Sequence, residues 1–151
     1  MNLHTMPKGL VSNALELMRP SFVQAAALCL RDGVQGREVM LIRTLERKQW
    51  IIPKGWPMKN RSLAEAAEIE AWEEAGVRGR IHADPIGAFT YTKLKKSGLP
   101  VQCRPQVFIL EVTSVHDDYP EAGKRTRKWA ALPEAISMVK FPELQTMLRD
   151  L

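Results

Sequence analysis

One stretch, residues 62–76, constrains the fold of this chain more than any other. Ser62 followed by Glu65 reads as a capping box that starts a helix. Gly76 stands where a helix ends in a left-handed residue, so the sequence predicts a helix over 63–75. On a wheel at about 100° per residue, Leu63, Ala66 and Ala67 form one apolar stripe. The next positions on that stripe are Glu70 and Glu74, with Glu73 at its edge. Five glutamates fall within the ten residues Glu65–Glu74, without an equal number of cations nearby. A solvated acidic face is the plain alternative, since glutamate favours helices. Buried ionised carboxylates, however, are costly unless paired or bound to a metal. Acids converging on an inward stripe therefore point to a divalent cation, and oxygen-only ligation favours magnesium or manganese.

The segment Gly55-Trp-Pro-Met-Lys-Asn-Arg-Ser-Leu-Ala-Glu-Ala-Ala-Glu-Ile-Glu-Ala-Trp-Glu-Glu-Ala-Gly-Val77 resembles the Nudix box, G-x5-E-x7-R-E-U-x-E-E-x-G-U with U apolar. Gly55, Glu70, Ala71, Glu73, Glu74, Gly76 and Val77 fall on the pattern. Arg61 stands where the first glutamate belongs, and Ile69 where the arginine belongs. In the family that arginine orients the metal-binding glutamates, so the pair reads as exchanged together, with Arg61 meeting Glu65 on the helix surface. Trp50-Ile-Ile-Pro-Lys-Gly55 is similar to the strand that leads into the box. Its Pro53-Lys54-Gly55 also resembles the dinucleoside polyphosphate enzymes. Lys124–Trp129 and Leu132–Ile136 resemble the late strand and helix of the diphosphoinositol polyphosphate phosphohydrolase branch.

The resemblance implies an α/β fold, a Nudix-type α/β/α sandwich around a mixed β-sheet. It implies metal-dependent hydrolysis of a phosphoanhydride in a diphosphoinositol polyphosphate or a dinucleoside polyphosphate. Glu70 and Glu74, one turn apart, would be ligands for Mg2+ or Mn2+, with Glu73 the general base or a ligand to a second ion. Lys54 would offer its backbone carbonyl to the metal and its side chain to a phosphate, unless it is an ordinary loop lysine. Gly55, Arg125 and Arg127 would face the substrate. Strand alternation puts Arg125 and Arg127 on one face, and guanidinium groups suit phosphate. A solvated turn is the simpler account of that basic run. The departures at Arg61 and Ile69 keep open a catalytically weak nucleotide sensor.

The remaining features are general ones. The chain has 151 residues, which suits one domain over 21–151 after an N-terminal arm, 1–20, with one helical turn at 13–18. Net charge is +5 although the helix is acidic, so the basic residues gather elsewhere and favour an anionic partner: a polyphosphate, a nucleotide or an RNA 5′ end, the last suggesting a pyrophosphohydrolase. Lys93, Lys95, Lys96 and Arg104 form a second basic cluster. Trp50, Tyr91 and Trp129 serve either packing or base stacking. Strands are expected at 22–30, 38–44, 50–52, 77–81, 86–94, 106–115 and 127–131, with helices opening at Pro133 and Pro142. Cys29 and Cys103 read as buried free thiols of a reducing compartment. His4, His82 and His116 show no ligand spacing. The first twenty residues lack a signal-peptide centre and Phe22–Leu30 is too short for a membrane span, so a cytoplasmic monomer or homodimer without membrane contact is expected.

Overall fold

The computed structural model describes residues 21–151; the expected arm and its helical turn lie outside them. The apolar run after Ser21 becomes β1 (Ser21–Gly33), in which every residue from Gln24 to Leu30 is buried. A strand hidden on both faces belongs in the middle of a sheet. β1 accordingly pairs in parallel with β8 (Pro100–Val115) along one edge. Its other edge is shared by β2 (Gly36–Arg43) and by the two-residue β4 (Lys54–Gly55). β3 (Trp50–Ile51) and β9 (Arg127–Ala131) extend the sheet beyond β2, and β5 (Val77–Ile81) closes the far side of β8. One parallel pair among antiparallel neighbours makes the sheet mixed.

The helix α1 (Leu63–Ala75) forms with the expected bounds. Both arms of the Ser62–Glu65 capping box are present, and Gly76 ends the helix at φ 67°, a conformation that suits glycine. Ala64, Ala66, Ala67, Ala71 and Ala75 face the sheet. Such small side chains let the helix lie close to β1 and β5. The short helices α2 (Leu132–Met138) and α3 (Pro142–Arg149) pack on each other and against β2, β9 and β6 (Gly87–Ala88). Each opens with proline in its first turn. The result is the α/β/α sandwich around a mixed sheet.

Three expectations need correction. The strand foreseen at 86–94 is two strands, β6 and β7 (Tyr91–Leu94), broken at Phe89-Thr90. The register explains the break: Ala88 faces Gln106 and Tyr91 faces Cys103, so Phe89 lies opposite Pro105. Phe89 donates to the Pro105 carbonyl at 3.4 Å, but proline has no N–H to return the bond. The pairing foreseen from Gln106 begins at Pro100. Lastly, Arg125 precedes β9, so Arg125 and Arg127 do not share one strand face.

Candidate metal and phosphate site

The site is assembled at the C-terminal end of α1. The last carbonyls of a helix have no partner within it, and here the segment 116–127 supplies partners. Glu121 N–H donates to the Glu73 carbonyl at 3.0 Å, and His116 N–H to Gly76 at 2.8 Å. Arg127 Nη1 donates to the Ala75 carbonyl at 2.7 Å, while its Nη2 holds Asp117 at 2.8 Å. Satisfying the helix end thus draws Glu121 and Arg125 over the glutamates. Arg127 is spent on this anchorage and is not brought together with them.

Glu70, Glu73, Glu74 and Glu121 line one cavity of about 350 Å³, with Lys54, Gly55 and Lys93. Glu70 is 9% exposed and Glu74 is 6% exposed. Burial pushes the Glu70 carboxyl up to about 8, helped by the charges of Glu74, Glu73 and Glu121. Burial also raises Glu74, against the opposing pull of Lys54 and Arg125. Glu74 Oε1 accepts the Lys54 N–H at 2.8 Å, and its Oε2 lies 3.4 Å from Arg125 Nη1. Arg125, with an 11% exposed side chain, also reaches Glu121 at 3.1 Å. Glu70 has no cationic partner in any of these contacts. A Cβ on Gly55 would collide with the Glu70 carboxylate. Any larger residue there would make the end of the Glu70 side chain shift.

Among the described residues no three acid, histidine or cysteine side chains are set as a finished metal site. The Lys54 amide and Arg125 hold Glu74, and Arg125 also holds Glu121. The donor set nevertheless fits a hard divalent ion: crowded, part-buried carboxylate oxygens with more negative charge than the nearby cations offset.

A second cavity, of about 160 Å³, shares Lys54, Glu74, Tyr91 and Lys93 with the first and adds Arg125. Lys54 Nζ sits 4.8 Å from the centre of the Tyr91 ring, and burial lowers its pKa. Tyr91 is fixed by a 2.5 Å hydrogen bond to the buried Gln24. Arg104, from the second basic cluster, is turned away to Thr90 and Glu143. Trp129 lies under Arg31 at 4.0 Å, and Trp50 under Arg43 at 5.8 Å. Arg61 meets Glu65 at 3.4 Å, as expected, and lines a shallow groove on the outer side of α1 with Ile69. Neither departure from the box pattern leaves a charge inside the site. Glu121 is the residue that sequence reasoning missed; one glutamate in a turn carries no periodicity to mark it.

Comparison with known proteins accords with this geometry. No family model matches the chain. Nudix hydrolase 12, mitochondrial, of Arabidopsis thaliana is 31% identical over 123 residues, covering 79% of this chain and 60% of the relative. Diphosphoinositol polyphosphate phosphohydrolase 2 of Rattus norvegicus is 28% identical over 119 residues, covering 78% and 62%. The curated relatives it matches are Nudix hydrolases. The chain spans about three fifths of the length of these curated Nudix relatives. Among solved structures, the C. elegans Ap4A hydrolase superposes with a TM-score of 0.60 at 23% identity, over 86% of this chain and 95% of that one. The NUDIX domain of Shewanella oneidensis NrtR, complexed with ADP ribose, gives 0.61 at 14% identity, over 97% and 100%. At such identities these likenesses establish the Nudix fold. Among the described residues no helix is long and apolar enough to cross a membrane. Cys29 and Cys103 are buried free thiols.

Proposed function

We propose that this chain hydrolyses a phosphoanhydride bond in a polyphosphorylated small molecule, using magnesium or manganese, and that residues 21–151 are its catalytic unit. The observation that carries this reading is the meeting of four glutamates with Lys54 in one cavity beside Arg125. The carboxylates of Glu70 and Glu74 would hold the ion, and the backbone carbonyl of Lys54 would add a neutral donor. When bound, such an ion offsets phosphate charge and acidifies an attacking water. Glu73, which lines the cavity three residues on from Glu70, would serve as general base toward an attacking water. The ammonium groups of Lys54 and Lys93 and the guanidinium of Arg125 bind phosphate oxygens on the side of the smaller cavity. Glu121 restrains Arg125 and adds a fourth carboxylate to the rim. The reduced, buried cysteines suit a reducing compartment such as the cytoplasm.

The test is magnesium-dependent phosphate release from a panel: a diphosphoinositol polyphosphate, a dinucleoside tetraphosphate and a 5′-triphosphorylated RNA. Turnover of at least one, abolished by chelation and by Glu73→Gln, is expected. A protein that binds these compounds but turns over none with either metal would be a sensor, and the hydrolase reading would be wrong.

A further inference from the structure

The cavity that holds the carboxylates has an aromatic rim which the reaction itself does not need. Trp56 follows the box glycine directly and lines that cavity, yet it is 43% exposed. Phe22, at the start of β1, is 45% exposed and meets Trp56 edge to face, with ring centres 6.0 Å apart. Residues two apart on a strand share a face. Phe22 is therefore on the same face of β1 as Gln24, which also lines the cavity. Large apolar rings standing in water beside a built cavity call for an explanation, because most of the other aromatic rings here are at least half buried. An edge-to-face pair is mutually braced and leaves outer ring faces open to a third ring. Lys54 and Lys93, the lysines proposed above to bind phosphate, also line this cavity.

We infer that Trp56, braced by Phe22, is a stacking shelf for a nucleobase attached to the phosphates that the glutamate site engages. This rests on the hydrolase reading and narrows its substrate to one with a nucleoside end. An inositol polyphosphate, with no planar apolar face, gains nothing from such a shelf. Stacking of a base on an aromatic side chain is worth roughly one to two orders of magnitude in affinity.

The test uses the full chain carrying Glu73→Gln, in magnesium, and compares ATP with inorganic tripolyphosphate by calorimetry. Tripolyphosphate presents the same linked phosphates without a base. With Trp56 intact, ATP is expected to bind about tenfold more tightly than tripolyphosphate. Trp56→Ala should erase that preference while tripolyphosphate affinity stays the same, and Trp56→Phe should keep most of it. An unchanged ATP preference in Trp56→Ala, or equal loss for both ligands, overturns the shelf. Failure of tripolyphosphate to bind the Trp56-intact protein at all would instead sink the phosphate site, a separate and distinguishable result.

Discussion

Glu70→Gln isolates the electrostatic strain on which the site is built. The Glu70 carboxyl is pushed up to about 8 from an ordinary value of 4.5, so the folded protein holds its proton more tightly than the unfolded chain does. For an acid raised in this way, the stabilisation is complete below the unfolded pKa and is lost as pH climbs through the folded one. The window therefore runs from about pH 4.5 to about 8. One pKa unit is about 1.4 kcal/mol, which caps the loss at about 5 kcal/mol; sharing of the proton with Glu74 brings the expectation to about 2–4 kcal/mol. In a chain of this length 1 kcal/mol moves Tm by roughly 2–4 °C. The assay is thermal unfolding in chelator between pH 5 and 9. Wild-type Tm should fall across that range by roughly 5–15 °C more than that of Glu70→Gln. The variant has the same shape, cannot ionise, and should be the more stable protein at pH 8. Magnesium or manganese added at pH 8 should raise the wild-type Tm and leave the variant nearly unmoved. Parallel pH profiles with equal metal responses would refute the reasoning.

Four other expectations follow from the same contacts. Gly55→Ala places a methyl group against the Glu70 carboxylate and should cost about 1–3 kcal/mol in chemical denaturation, together with weaker manganese binding by calorimetry. Glu73→Gln should keep the fold and most metal affinity while turnover drops roughly 10²–10⁴-fold; Glu74→Gln should instead raise the magnesium concentration needed for half-maximal rate. Arg127→Gln should lose about 1–3 kcal/mol of stability by freeing the Ala75 carbonyl and Asp117. Its KM for the best substrate should hardly change, since Arg127 anchors the helix end instead of facing the cavity.

Local patterns were enough to place α1, because its cap, its stripe and its terminal glycine are all encoded within fifteen neighbouring residues. The same locality made β1, β2, β5, β9 and the two proline-led helices readable. Spacing alone put Glu70 and Glu74 on one face, and the structure buries both. Long-range pairing decided the rest. Pro105 breaks a strand sixteen residues earlier in the chain, an effect seen only once Phe89 and Pro105 are opposite each other. Arg125 and Arg127 look equivalent in sequence, yet one reaches Glu74 and the other caps a helix. Glu121 enters the site because its N–H satisfies a helix carbonyl 48 residues away. Hydrogen-bond demands at the end of a helix are local, but which distant segment meets them depends on the path of the chain around the sheet. That path is a property of the folded whole, and it completes the carboxylate cluster.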